Sequence, residues 1–195
     1  MTIAPLGPLD HGRRMSVADF GRLEADGNYR FELHQGSIEV SDFSDAAHSQ
    51  VMSNLYFAVG RHSIDNSEAI LQFGGSCDYR LDLPEVGSSR HPDFALILRP
   101  TSKSSRRQLR PSLAAEVVSV HSRHRDYVVK RVEYLAFGLL EYWIIDFLAR
   151  RFTLLTRDGD AWHEQVFVGD QVIPSVVLPG LTTTVDDLWL DLDYY

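Results

Sequence analysis

Two carboxylates stand where a soluble chain of this kind has little reason to place them. Asp93 leads into the apolar run Phe94-Ala95-Leu96-Ile97-Leu98, and Glu116 interrupts a second one, Leu113-Ala114-Ala115-Glu116-Val117-Val118. Short apolar runs of this type read as strands buried on both faces. A carboxylate inside such a strand is costly unless a cation or hydrogen-bond donors meet it. Lys130 is one candidate partner for Glu116, and a bound metal ion is another. A structural pairing of a strand-end Glu with a nearby Arg accounts for Glu116 taken alone equally well. Acids on two adjacent strands can hold a divalent metal through oxygen ligands. Such an ion polarises a phosphoryl oxygen and lowers the pKa of a bound water. A lysine beside it can orient that water or offset charge in the transition state. Together these groups are the equipment for phosphodiester hydrolysis.

The elements that must position them lie in residues 113–146. The segment opens with the run holding Glu116 and closes with Tyr142-Trp143-Ile144-Ile145-Asp146. Between the two runs, Val128, Val129, Val132, Leu135 and Ala136 recur at helical spacing. The segment therefore reads strand–helix–strand, a crossover joining parallel strands. Asp126, Lys130 and Tyr134 are four apart and stack along one side of that helix. Tyr134 suits either a place beside the site or simple core burial, and Tyr142 and Trp143 read as packing.

Length and composition bound the rest. With 195 residues, 44% hydrophobic and 24% charged, the chain fits one soluble globular domain over residues 15–195. Cys77 is the only cysteine, which excludes a disulfide framework and zinc-ligand spacing. No signal-peptide core or membrane-length run is present, so a cytoplasmic protein is expected. The net charge of −8 argues against indiscriminate nucleic-acid binding. Its distribution is uneven, however. Residues 99–131 carry nine Lys or Arg against two acids, +7, and leave −15 for the remainder. Both lysines of the chain, Lys103 and Lys130, fall in that window.

Along the chain, residues 1–14 read as a loose arm rich in Pro and Gly. Ser16 is placed to cap a short helix over 17–24. Residues 29–34 and 37–40 form a hairpin about Gln35-Gly36, with Glu32 in the first strand. Residues 47–63 are amphipathic and helical, with His48 at the start, where capping is its commoner role. Strands follow over 70–73 and 77–83, then the Asp93 strand, then a basic Ser-rich loop over 99–111. A hairpin over 151–156 and 162–168 turns at Asp158-Gly159, and an acidic tail ends the chain.

Pro92-Asp93 followed by Glu116-Val117-Val118 resembles the signature of the PD-(D/E)XK nuclease superfamily. More narrowly, the chain resembles the Uma-two family of restriction-endonuclease-like proteins. The matching residues are Tyr29 to Leu33 through Gly36, His48-Ser49-Gln50, and His91-Pro92-Asp93. They continue with Glu116 to Ser119, Asp126, Lys130, Tyr134, and Gly138 through Glu141 to Asp146. The resemblance covers residues 15–190. It implies an α/β (α+β) restriction-endonuclease-like fold, a central mixed sheet flanked by helices with added β-hairpins. It implies Asp93, Glu116 and the Val117 carbonyl as ligands of Mg2+ or Mn2+, with Glu32, and less directly His48, in support. The superfamily's lysine would stand two residues after Glu116, where this chain has Val118. The resemblance implies that Lys130, on the following helix, takes its place.

The expectation is a metal-dependent DNA endonuclease, acting as a homodimer because double-strand cleavage needs two sites. The acidic C-terminal segment with Trp189, Tyr194 and Tyr195 offers apolar surface for that pairing. The competing expectation is a nuclease-like fold without catalysis, serving as a DNA-binding or protein-interaction module.

Overall fold

The computed structural model describes residues 5–25, 27–42, 45–75, 78–100 and 109–195. Cys77, Lys103, Arg106 and Arg107 lie outside the described residues, as does most of the basic loop. The chain forms two compact units, one of Met1–Asp45 with Arg80–His91, the other of Ala46–Tyr79 with Pro92–Tyr195.

The first unit holds a four-stranded sheet in the order β2-β1-β5-β4, all neighbours antiparallel. Strands β1 (Arg30–His34) and β2 (Ser37–Ser41) form the expected hairpin. Gln35 and Gly36 both have positive φ, 47° and 78°, as a two-residue hairpin turn of matching twist requires. Helix α1 is Val17–Phe20, capped by Ser16 Oγ accepting from the Asp19 amide at 3.0 Å. It ends at Gly21, short of the expected 17–24. The described part of the expected loose arm is tied down. Leu6 joins the core of Phe20, Phe31, Leu33 and Ile38, and its amide donates to the Glu24 carbonyl at 2.8 Å.

Strands β4 (Leu81–Leu83) and β5 (Ser88–Arg90) complete the sheet. The expected strand over 77–83 is thus observed only at its end. β5 is not legible in the sequence, since Ser-Ser-Arg has no apolar period. It is buried by charge pairing instead. The Arg90 side chain is fully buried and meets Glu39 at 2.7 Å, Glu32 at 3.4 Å and His34 Nδ1 at 2.7 Å.

The second unit is built on a six-stranded sheet in the order β10-β9-β8-β7-β6-β3. The strands are β3 (Ile70–Gly75), β6 (Phe94–Leu98), β7 (Leu113–Val117), β8 (Glu141–Asp146), β9 (Arg151–Asp158) and β10 (Ala161–Phe167). Among the described strands only β7 and β8 pair in parallel, as the crossover reading requires. One face packs on helix α2 (Ala46–Asp65) through Val51, Leu55 and Val59 against Phe94, Leu96, Ala115, Val117, Trp143 and Ile145. The alternate residues, Ala114, Glu116, Tyr142 and Ile144, point to the opposite face.

The crossover is not a plain α-helix. Residues Arg125–Val129 make a π turn, with the Lys130 amide donating to the Arg125 carbonyl five residues back. Helix α3 (Lys130–Phe137) follows and ends at Gly138, whose φ of 99° is a left-handed stop that a side chain would strain. Val128 and Val132, expected in the helix's apolar stripe, are exposed, while Tyr134 faces inward.

Residues 173–192 add no strand of their own but close the α2 face of the core through Ile173, Leu178, Val185, Leu188 and Trp189. Glu141, fully buried, ties them on. It accepts from Trp143 Nε1 at 2.9 Å, Ser175 Oγ at 2.7 Å, the Val177 amide at 3.3 Å and the Val176 amide. Trp189 is therefore core, contrary to the expectation that it offers surface for dimerisation; Tyr194 and Tyr195 are exposed.

Removing Arg90 would leave Glu32 without its buried cation. Arg90→Ala is expected to cost about 3–5 kcal/mol in urea unfolding. A loss below about 1 kcal/mol would mean that the first unit does not depend on this pairing.

Candidate active site

β6 and β7 run antiparallel with Phe94 opposite Ala115 and Ala95 opposite Ala114. One step further along that register lie Asp93 and Glu116, so both stand at the same end of the β6–β7 pair. The closeness of the two strands persists at that step. Asp93 Oδ2 accepts from the Val117 amide at 2.8 Å. Within a strand the N–H and C=O of one residue point to the same side, so the Val117 carbonyl is directed toward the Asp93 side as well.

Asp93 has a second partner from α2. His48, near the first turn of that helix, brings Nε2 to 3.1 Å from Asp93 Oδ2. The sequence shows no partner for Asp93 because this one is 45 residues away in the chain. His48 is therefore brought to the site and not merely to a helix end.

Glu116 is buried at 2% exposure and is met from the crossover. Lys130 Nζ, fully buried, lies 2.9 Å from Glu116 Oε1, and the Tyr134 hydroxyl donates to the same oxygen at 2.5 Å. Tyr142 stacks edge-on against Tyr134 with ring centroids 4.9 Å apart and donates its hydroxyl to the Asp126 carbonyl at 2.8 Å. The Asp126 carboxylate is also buried, 3.9 Å from Lys130 Nζ. The ammonium is thus held more closely by Glu116 than by the acid four residues before it. A simple four-apart surface pair does not describe it.

The outcome for the sequence candidates is specific. Asp93, Val117 and His48 are joined at the start of β6, and Glu116, Lys130, Asp126 and Tyr134 form one buried cluster beside them. Glu32 belongs to the other unit. There it accepts from the His91 amide at 2.8 Å and pairs with Arg90. What sequence reasoning missed is the π turn that carries Asp126 and aims Lys130. The four-residue spacing of Asp126, Lys130 and Tyr134 looks wholly α-helical, and no residue type marks the extra residue. Turns of this kind are rare and recur at functional sites.

Among the described residues no three His, Cys, Asp or Glu side chains gather into a protein-only metal cage. The donors at the strand ends are two carboxylates and one directed carbonyl, all oxygen. That set suits Mg2+, which keeps several waters and binds through one or two carboxylates with substrate phosphate completing its shell.

Electrostatically the cluster is uneven. Burial pushes the Asp126 carboxyl above its ordinary value of 3.8, and the Asp93 charge adds to the rise; Lys130, Ser122 and Arg125 oppose it. The native state therefore binds this proton more tightly than the unfolded chain does. Stability from the group is fully present below the unfolded pKa and is lost as pH rises through the raised one. Asp126→Asn is accordingly expected to melt higher than the parent at pH 7.5, with the gap closing as pH falls to about 4. Differential scanning fluorimetry at the two pH values reads it, and a pH-independent gap would contradict the burial argument.

The Uma2 family, described as "Putative restriction endonuclease", matches residues 17–186. Among solved structures, the chain is similar to "a putative nuclease belonging to DUF820" from Anabaena variabilis. The two share 16% identity and superpose with a TM-score of 0.72, over 91% of this chain and 99% of the other. No curated protein sequence matches. The chain shares the fold of that protein, and the family match spans most of the chain. The chain belongs to the Uma2 family of restriction-endonuclease-like proteins.

Proposed function

We propose that this protein is a divalent-metal-dependent endonuclease that hydrolyses DNA phosphodiester bonds. The observation that carries the reading is the buried Lys130 ammonium, 2.9 Å from Glu116, beside a second strand-end acid, Asp93. A desolvated ammonium held between acids at adjoining strands is the arrangement that a phosphoryl-transfer site requires.

In this reading Asp93, Glu116 and the Val117 carbonyl hold Mg2+ or Mn2+. Bound there, such an ion would supply Lewis-acid activation of the phosphate and of a water. His48 fixes the rotamer of Asp93, and the Tyr134 hydroxyl fixes that of Glu116. Lys130 presents positive charge to the phosphate oxygen on which charge grows. Asp126 limits where the ammonium can swing. Val118 has no hydrogen-bonding group, so it cannot supply what the lysine does.

Plasmid nicking with Mg2+ or Mn2+ tests the reading. Lys130→Met is expected to lower cleavage about a hundredfold, corresponding to about 3 kcal/mol of transition-state stabilisation. The variant also leaves Glu116 without its buried cation, so a loss of stability is expected with or without a catalytic role. Mn2+ separates the two. If Glu116 binds metal, the ion replaces the missing charge, and Mn2+ raises the melting temperature of Lys130→Met more than that of the parent. Unaltered cleavage by Lys130→Met would remove the lysine from the mechanism. Absence of cleavage by the parent with DNA binding intact would leave a non-catalytic DNA-binding module.

We also propose a two-fold dimer, which gives each strand of a duplex its own site. Light scattering at micromolar concentration should return twice the 22.1 kDa chain mass. A monomer would leave nicking as the activity.

A further inference from the structure

The rim that carries Glu116 continues onto the next strands. β7 and β8 pair with Glu116 beside Ile144 and Val117 beside Ile145, so Asp146 lies one strand over and two residues further on. By strand spacing and rise this is a step of about 8 Å on the same face. Arg151 is opposite Asp146 on β9. Asp146 is fully buried and gathers three groups. Its Oδ1 accepts from the Ala149 amide at 3.0 Å, and its Oδ2 meets the Tyr127 hydroxyl at 3.2 Å and Arg123 at 2.7 Å.

Tyr127 comes from the π turn, the same turn that aims Lys130. Two guanidinium groups flank its ring, Arg151 with its carbon 5.3 Å from the centroid and Arg123 at 5.7 Å. Arg151 also donates to the Tyr127 hydroxyl at 3.0 Å. Burial foremost keeps that phenol well protonated, so it stays a donor to Asp146. Arg123 is half exposed, and Arg151 Nε is buried without a hydrogen-bond partner. One carboxylate among two arginines leaves the cluster with net positive charge. Each guanidinium has five N–H donors in a planar fork suited to phosphate, more than Asp146 and Tyr127 use.

We propose that Arg123 and Arg151, which flank the Tyr127 ring that Asp146 holds, form a clamp for a backbone phosphate of the substrate strand about two phosphates from the scissile one. The assignment rests on the nuclease reading above and deepens it. Ligands of parallel strands are held outside their carboxyl ends, and both the Glu116 site and the clamp stand at the carboxyl ends of β7 and β8. An 8 Å step is on the order of two phosphates at about 3.4 Å of duplex axis each. Arg123 and Arg151 are substrate-binding residues here, and Tyr127 and Asp146 are positioning residues that act through them.

The test uses the full chain carrying Glu116→Gln, which binds without cutting, and a labelled 20-base-pair duplex read by fluorescence anisotropy from 50 to 200 mM salt. Arg123→Ala and Arg151→Ala should each weaken binding about tenfold and lower the salt slope by about one, as loss of one phosphate contact requires. Arg123→Lys should restore the slope, since the charge returns. Arg123 pairs with buried Asp146, so the fold of each variant is checked by circular dichroism; Arg123→Gln, which keeps a donor for Asp146 while removing the charge, decides the matter if an alanine variant fails to fold. Unchanged affinity and slope in a background that binds DNA would overturn the clamp alone and leave the cluster as a tie between the π turn and β8. A background with no salt-dependent DNA binding would overturn the nuclease reading, and the clamp with it.

Discussion

The second unit depends on the neutralisation of Glu116. Its carboxylate sits inside a central strand, on a face covered by the crossover, where an uncompensated charge costs several kcal/mol. Lys130 and the Tyr134 hydroxyl both converge on one of its oxygens. Much else follows from that requirement. The crossover must lie close over β7, which the parallel β7–β8 pairing ensures. The turn before α3 must deliver a long side chain back toward the strand end, and the π turn does so. Tyr142 on β8 must brace both, with its ring on Tyr134 and its hydroxyl on the Asp126 carbonyl.

The first unit solves a similar problem with the signs reversed. A cation, Arg90, is buried on a short strand, and two glutamates and a histidine surround it. In neither unit does the charge cluster replace an apolar core. Leu33 and Ile38 fill one core, and Phe94, Leu96, Trp143 and Ile145 anchor the other. Glu32 and Glu116 lie within their strands, while amides beside the ladders are taken up by carboxylates, that of Val117 by Asp93 and that of His91 by Glu32.

Much of this was legible in the residues. The crossover follows from apolar runs and spacing, because a doubly buried strand leaves a plain signature, whereas the residues left Lys130, an Arg and a metal ion open as partners of Glu116 and the resemblance singled out Lys130. The β9–β10 hairpin about Asp158-Gly159 was equally readable. Three things were not. β5 has no apolar period and is held by pairing on both edges together with the burial of Arg90. The π turn leaves the residue types unchanged. Partners distant in sequence, such as His48 for Asp93, cannot be inferred from local pattern. The resemblance marked Asp146 as a motif residue, yet only the structure shows it gathering Tyr127 and Arg123.

The source of Glu116's cation also bears on how the chain reaches this state. Only 14 residues separate Glu116 from Lys130, and 18 separate it from Tyr134. Closing so short a loop is entropically modest, since the cost grows only logarithmically with length. Asp93, by contrast, finds His48 across 45 residues of chain. The carboxylate of β7 can therefore be neutralised by its own downstream helix before the remaining strands remove it from water. A lysine on the strand itself, at position 118, would have to be desolvated together with the acid in a single step. Borrowing the cation from the crossover gives the assembling sheet an already compensated charge to bury.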